Sequence, residues 1–234
     1  MLKTNRQVLS EGIRDGIPIG LGYFVVAFTL GIAAKHAGLT PFQGFLTSFL
    51  NNASAGEYAA FTVIAADATY LEMALITLVA NARYMLMSTV LSQKFSPNTP
   101  FYHRILVGFD VTDEIFGITV ARPGKLNPFY NYGAMLVALP GWSIGTALGI
   151  MAGNILPLSI VSALSVALYG MFLAVIIPPA KKDRMIALTV IASFVMSFIA
   201  ANLFDDISAG TRTIVLTILI AGVAAFVAPV DSES

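Results

Sequence analysis

The sequence predicts an all-α integral membrane protein, with about seven to eight transmembrane, broken or re-entrant helical segments in one bundle. Of its 234 residues, 57% are apolar and only 11% are charged, whereas about a quarter of the residues of a soluble domain are charged. The chain also divides into apolar runs of about 17–25 residues, the length that crosses the roughly 30 Å hydrocarbon core of a bilayer. We therefore expect residues 1–234 to form a single transmembrane domain.

The first predicted element is a polar cytoplasmic segment, residues 1–16, which leads into a transmembrane helix. The apolar run that follows it is too long for a signal-peptide core and has no small-residue cleavage site close behind, so no cleaved leader is predicted. Prolines and short polar connections delimit the later spans. The predicted spans cover residues 17–35, 41–66, 70–92, 104–121, 129–152, 155–178, 184–203 and 212–229.

Basic residues predict the orientation of these spans. Lys3, Arg6 and Arg14 favour a cytoplasmic N-terminus, because cytoplasmic loops are enriched in Lys and Arg. Two arrangements are then possible: all eight segments cross, or 41–66 and 104–121 are re-entrant or broken and only six cross. The second arrangement fits the charge bias better, since it brings four more basic residues to the cytoplasmic side: Lys94, Arg104, Arg122 and Lys125.

Two predicted spans contain interruptions at membrane depth. The stretch NNASAGEY, residues 51–58, is small and polar, and Pro140-Gly141 divides the span 129–152. Backbone leaves a helix at this depth only where it is buried in protein or lines a wet cavity, and broken helices often mark the substrate site of a transporter. Asn51, Asn52 and Glu57 are therefore candidate site residues; the alternative at both interruptions is a kink in tightly packed helices.

Charged residues inside the predicted spans need an explanation, because each costs at least about 2.5–3.5 kcal/mol at a helix centre. Arg83 lies about nine residues, or roughly 13 Å, from the nearer end of its predicted helix. This is too far for the side chain to reach the interface easily. We expect Arg83 to meet a carboxylate or a bound anionic group, with Asn81 beside it.

Three acids, Asp110, Asp113 and Glu114, lie within an arc of about 100° on a helical wheel, which predicts a helix with one acidic face turned inward. Three carboxyl groups so close cannot all ionise easily in a low dielectric, so one of them could carry a proton during transport. The alternative is that Asp113 and Glu114 form the acidic first turn of a shorter helix, with Asp110 or Thr112 as its N-cap.

Other features exclude several classes of function. The chain has no Cys and only two His, so no metal site or thiol chemistry is predicted, and no cofactor is expected. The sequence has no basic stripe, so we do not expect a nucleic-acid partner. GWSIG, residues 141–145, matches the G-x-S-x-G motif, but it lies in an apolar helix rather than a strand-turn-helix, so we do not expect an enzyme. Two glycine series, 12/16/20 and 145/149/153, predict close helix packing.

Three short stretches, taken together in order, resemble a known family. The stretch ASAGEYAAF, residues 53–61, is similar to a pattern of the type A-G-x-x-Q-F. The stretch NARYMLMS, residues 81–88, is similar to an N-L-R motif, and the stretch TDEIFG, residues 112–117, is similar to a T-D-E motif. These motifs resemble the AzlC family, the large subunit of bacterial branched-chain amino acid exporters. The resemblance extends over roughly residues 12–225.

The resemblance implies export of branched-chain or related apolar amino acids across the bacterial inner membrane, with a small AzlD-type membrane subunit as partner. A homo-oligomer of that heterodimer is a further expectation. Coupling to protons is our inference from the acids. The sequence departs from the family pattern at Glu57, where Gln is usual, at Tyr58 for Phe, and at Ala82 for Leu. Glu57 could pair with Arg83 or add a second protonatable group.

The leading hypothesis is therefore an amino-acid exporter. The substrate carboxylate would meet Arg83 or free helix amides, and the ammonium group would meet Glu57 or Asp113. Three apolar residues, Phe61, Met85 and Phe116, are expected to line the side-chain pocket. The alternative is an ion or small-solute channel in which the acidic stripe acts as a cation filter.

Overall fold

The structure, a computed structural model, describes residues 4–153, 180–204, 206–207 and 209–227, with isolated positions between 155 and 177. Most of the predicted span 155–178 and the last two residues of the span 212–229 lie outside the described residues. The fold class predicted from the sequence is confirmed, because the described residues form a helical bundle. The helices are α1 Asn5–His36, α2 Pro41–Leu50, α3 Ser54–Ala65, α4 Tyr70–Ala80, α5 Ala82–Lys94, α6 Phe101–Phe109, α7 Asp113–Val120, α8 Pro128–Ala152, α9 Arg184–Leu203 and α10 Ala209–Val227.

Three of the described helices, α1, α8 and α9, are each long and apolar enough to cross a membrane. A fourth candidate span is the pair α4–α5, which is bent by 49° at Asn81. The break at Asn81 was not predicted, because neither Gly nor Pro marks it in the sequence. It places Arg83 in the first turn of α5 rather than deep inside a continuous helix.

The core of the bundle is the parallel pair α1 and α8. Their backbones approach so closely that a Cβ added to Gly16 would lie 2.8 Å from Ala134 Cα, and one added to Gly145 would lie 2.7 Å from the Phe24 carbonyl oxygen. Because higher residue numbers on α1 meet higher numbers on α8, the two helices run in the same direction. We call the end at which they start the near end, and the end at which they stop the far end.

Helices α6 and α7 form a re-entrant pair, the near hairpin. At the start of α6, His103 Nδ1 lies 2.6 Å from the Tyr132 hydroxyl, which belongs to the first turns of α8. Just after α7, Arg122 forms an ion pair of 2.8 Å with Glu11 in α1. Both ends of the hairpin therefore lie at the near end, and its tip is the non-helical stretch 110–112.

Helices α2 and α3 form a second re-entrant pair, the far hairpin, with its tip at residues 51–53. Lys94 donates to the carbonyls of Val120 and Arg122 at 2.7 and 2.6 Å, so α5 ends at the near end. Since α4–α5 bends by only 49°, α4 starts towards the far end. The short links 37–40 and 66–69 then place both ends of the far hairpin there.

In the described part of the chain, segments 41–66 and 104–121 are thus re-entrant, as in the second of the two predicted arrangements, whose six crossings stay a prediction. Lys94, Arg104, Arg122 and Lys125 all belong to the near end, as do Arg6 and Arg14 of α1. Arg104, for example, donates to the Ser96 carbonyl just after α5.

Two local features differ from the prediction. The first helix is longer than the predicted span 17–35, because α1 already begins at Asn5, where Thr4 and Gln7 form a capping box. Pro140-Gly141 does not interrupt α8, which runs unbroken from Pro128 to Ala152. A proline removes only one helical hydrogen bond, and in a membrane helix neighbouring helices can compensate for it; here Gly141 packs directly on the Gly20 carbonyl.

Candidate functional site

The breaks in three helix pairs meet at one point in the bundle. Asn81 Nδ2, at the break between α4 and α5, donates to Asn51 Oδ1 in the far hairpin tip at 3.1 Å. Asn52, the next residue of that tip, donates to Asp110 Oδ1 in the near hairpin tip. Gly56 makes this approach possible, because an added Cβ would overlap the Asn81 side chain. The structure thus brings together the three motifs singled out in the sequence.

Each break also begins a new helix, so the N-termini of α3, α5 and α7 all lie at this point. Neither Ala53 nor Asn81, the N-cap residues of α3 and α5, caps its helix with a side-chain hydrogen bond. Thr112 does cap α7, accepting from the Ile115 amide at 3.3 Å. The alternative prediction for the acids is therefore confirmed: Asp113 and Glu114 form a first turn, and Thr112 rather than Asp110 is the cap.

A central cavity of about 530 Å³ opens beside the breaks. This volume falls in the usual range for small-molecule sites, about 300–1,000 Å³. Its charged lining comes from α5 and α7, and its apolar lining comes mainly from α1 and α8. The lining residues are Pro18, Ile19, Gly22, Tyr23, Val26, Asn52, Ser54, Ala55, Arg83, Tyr84, Thr112, Asp113, Glu114, Trp142 and Ile176.

The Arg83–Asp113 ion pair lies on the cavity wall. Arg83 Nη2 is 2.8 Å from Asp113 Oδ2, and both side chains remain 41% exposed, so each can also reach a molecule in the cavity. The guanidinium also lies over the Tyr84 ring at 5.2 Å. Glu114 is held by the Tyr23 hydroxyl, which donates to Oε2 at 2.6 Å. The wall therefore offers one cation and two carboxylates within neighbouring turns.

Two further carboxyl groups, Glu57 and Asp110, are buried behind the cavity rather than exposed on its wall. Glu57 is fully buried and accepts a hydrogen bond of 3.1 Å from Trp142 Nε1. Its other oxygen and Oδ2 of Asp110 have no hydrogen-bond partner in the described part of the chain. Glu57 does not pair with Arg83, whose partner is Asp113.

The three expected pocket residues lie elsewhere. Phe61 is buried in the core against α1 and α8, Met85 is 59% exposed on the outside of α5, and Phe116 packs on the cluster around Leu91 and Val107.

The apolar lining instead includes residues that the sequence analysis did not single out. Tyr23 and Trp142 pack edge to face with ring centroids 5.3 Å apart, and both line the cavity. A signal for Trp142 was present, since it is the single Trp of the chain and lies in an otherwise small-residue stretch. Ser143, beside it in GWSIG, is buried and donates to the Leu139 carbonyl at 2.9 Å.

A second cavity of about 550 Å³, the vestibule, lies at the near end between α1 and α7. Tyr130 donates to Asp15 at 2.9 Å across it, and the Arg122 guanidinium lies 4.0 Å from the centre of the Tyr130 ring. The vestibule and the central cavity use successive turns of the same helix faces. Residues 11, 14, 15, 18, 19 and 22 of α1 line one or the other, as do residues 114, 118 and 121 of the α7 segment. The two cavities therefore lie one after the other along the same faces of α1 and α7, from the near end to the breaks.

Comparison with known proteins supports the resemblance. The family profile described as AzlC protein matches residues 18–156. A protein of Archaeoglobus fulgidus named as an uncharacterized membrane protein is 30% identical over 173 residues, which cover 73% of this chain and 75% of the relative. The inner membrane protein YgaZ of Escherichia coli is 26% identical over 203 residues, 83% of this chain and 82% of YgaZ. No solved structure matches the chain.

Proposed function

The chain belongs to the AzlC family of membrane proteins, which is associated with amino-acid transport, and we propose that it is a secondary transporter that binds an amino acid in the central cavity. The observation that carries this proposal is the Arg83–Asp113 pair. It lies on the wall of a cavity at the meeting point of two hairpins that enter from opposite ends. Opposed broken helices around a midplane site are the usual architecture of secondary transporters.

The lining suits a small zwitterion with an apolar side chain. A carboxylate would replace Asp113 on the Arg83 guanidinium and would be favoured by the starts of α3 and α5, whose amides no N-cap side chain occupies. The released Asp113 and the neighbouring Glu114 would then hold the ammonium group. The apolar side chain would contact α1 and Trp142. We infer that the substrates are branched-chain or related apolar amino acids.

The direction proposed is export from the cytoplasm through a bacterial inner membrane. The near end carries most of the basic residues of the described helix ends, so by the positive-inside rule it faces the cytoplasm together with the N-terminus. The vestibule would then face the cytoplasm, and substrate would enter from that side along the faces of α1 and α7 that line both cavities.

Proton coupling and a partner complete the proposal. We infer the coupling from the acids of the site, among which Asp113 is the one that lies on the cavity wall and gives up Arg83 as the substrate binds. A small AzlD-type membrane subunit, in a heterodimer that can itself oligomerise, is the proposed partner, and no enzymatic activity or cofactor is assigned.

The proposal is tested by counterflow of radiolabelled leucine in proteoliposomes that contain the full chain, with and without a small AzlD-type subunit. We expect Arg83→Ala and Asp113→Asn to lower counterflow at least about tenfold, the value of one lost charge-assisted hydrogen bond. Both variants should keep the wild-type elution profile in size-exclusion chromatography. The matched control is Arg6→Ala, which removes an exposed cation remote from the cavity and should leave counterflow within about twofold.

Two results would overturn the proposal. Wild-type counterflow in both cavity variants would show that the ion pair does not bind substrate. Flux that neither saturates nor shows counterflow, and that ignores the proton gradient, would identify the protein as a channel.

A further inference from the structure

Gly22 occupies an unusual position among the glycines of α1. An added Cβ at Gly12, Gly16, Gly20 or Gly31 would collide with the backbone of α8, so packing requires glycine at those four positions. At Gly22 an added Cβ would meet nothing within 4 Å, and its backbone is ordinary helix. Glycine in a helix interior is less favourable than alanine by about 0.5–1 kcal/mol. Neither helix packing nor backbone conformation therefore explains glycine here.

The open space beside Gly22 is the central cavity, because Gly22 is one of its lining residues. Pro18 and Val26, one turn before and one turn after it, line the same cavity and extend the stripe along α1. This stripe carries no charge. The charged part of the lining comes from α5 and α7, which supply Arg83 and Asp113. A zwitterion held by the charged residues would direct its side chain towards the stripe.

We propose that Gly22 sets the largest side chain that the site accepts. This inference rests on the proposed function and adds a specificity-determining residue to it. A methyl group at position 22 would project into the volume that the substrate side chain needs without touching α8, and larger groups would take up more of that volume. Large apolar amino acids would then be excluded, while small ones such as alanine would still fit.

The test is a size series, Gly22→Ala, Gly22→Val and Gly22→Leu, each reconstituted as the full chain and assayed by counterflow with alanine, valine, leucine and phenylalanine. We expect kcat/KM for leucine and phenylalanine to fall progressively, by about tenfold or more in Gly22→Val, since excluding a methylene or two from a pocket costs this much. For alanine, kcat/KM should stay within about threefold of wild type, so that the ranking of substrates by size inverts.

The matched control is the same series at Gly222 in α10, where an added Cβ also meets nothing within 4 Å but which does not line the central cavity. Those variants should keep the wild-type ranking. Gly22→Ala guards against misfolding, because it is the smallest change and raises helix propensity.

The outcomes separate this inference from the proposed function. Two results in an active wild type would show that Gly22 does not set the size limit of the substrate. One is an unchanged ranking of substrates by size in the position 22 series. The other is an equal fall in kcat/KM for all four amino acids in folded protein. If the wild type shows no counterflow of any amino acid, the proposed function fails and the inference fails with it.

Discussion

Asn52 donates a hydrogen bond to Asp110, and this bond joins the tips of two hairpins that enter the bundle from opposite ends. Asp110 is 1% exposed, so its carboxyl group has almost no access to water. Polar groups at buried helix breaks must form hydrogen bonds within the protein, because lipid tails cannot hydrogen-bond and bulk water does not reach them. The two hairpins therefore depend on each other for a stable tip structure.

We expect Asn52→Ala to destabilise the protein by about 1–3 kcal/mol, because it leaves a buried carboxyl group without its partner. In the Asp110→Ala background the same change should cost clearly less, since the group that needed Asn52 is gone. A double-mutant cycle from unfolding in detergent measures this coupling. Equal costs of Asn52→Ala in both backgrounds would contradict an energetic link between the tips.

Glu57 is expected to be a structural residue in spite of its acidic side chain. Its carboxyl group accepts from Trp142 Nε1 at 3.1 Å and does not line the cavity. A glutamine amide oxygen can accept the same bond, and glutamine is the usual residue of the resembled family at this position. Glu57→Gln should therefore keep transport, its proton dependence and the unfolding temperature close to wild type.

Glu57→Ala, in contrast, should lower stability by about 2–4 kcal/mol, through the cavity it creates and the indole N–H it leaves unpaired. The measurements are thermal unfolding in detergent and substrate accumulation driven by an imposed pH gradient. Loss of gradient-driven accumulation in Glu57→Gln, with exchange intact, would instead assign the coupled proton to Glu57.

Access to the vestibule can be mapped by cysteine labelling, because the chain contains no cysteine that would first have to be removed. Ile118→Cys and Ala121→Cys, in the vestibule, should react with a membrane-impermeant thiol reagent applied from the near-end side of oriented vesicles. Ala66→Cys, exposed just after α3 at the far end, should react only from the opposite side. Labelling of all three from one side would refute the opposed hairpins.

The close contact between α1 and α8 predicts that a Gly→Ala substitution in α1 changes stability at some positions and not at others. Gly16→Ala places a methyl group 2.8 Å from Ala134 Cα and should cost about 1–3 kcal/mol of stability through overpacking. Gly22→Ala, one and a half turns along the same helix, should be neutral or slightly stabilising. Unfolding temperatures in one detergent compare the two, and equal temperatures would contradict the tight α1–α8 interface.

Much of the site could be predicted from the sequence, because charged and polar residues at membrane depth are costly and so mark function. Seven of the eight candidate residues lie at or beside the three breaks: Asn51, Asn52, Asn81, Arg83, Asp110, Asp113 and Glu114. The eighth, Glu57, is buried behind the cavity against Trp142. The sequence also suggested re-entrant hairpins, since only they brought the basic residues to one end.

The positions of the breaks were harder to predict. A continuous helix and a broken one share the same apolar pattern, so the wheel for residues 104–121 suggested one acidic face where two helices actually meet. At the break, Asp110 is bonded to Asn52, 58 positions away in the chain, so the contact that accompanies the broken form is not local. Asn81 is a similar case, because its partner Asn51 belongs to another hairpin. Such tertiary contacts have no local signal.

The glycine contact between α1 and α8 also determines which parts can move. Two helices that touch backbone to backbone at several glycines cannot slide or tilt against each other without a collision of rigid atoms. The α1–α8 pair is therefore a stationary frame. Among the elements that build the central cavity in the described part of the chain, the hairpins and the bent pair α4–α5 are the ones that can move against that frame to alternate access between the two faces of the membrane.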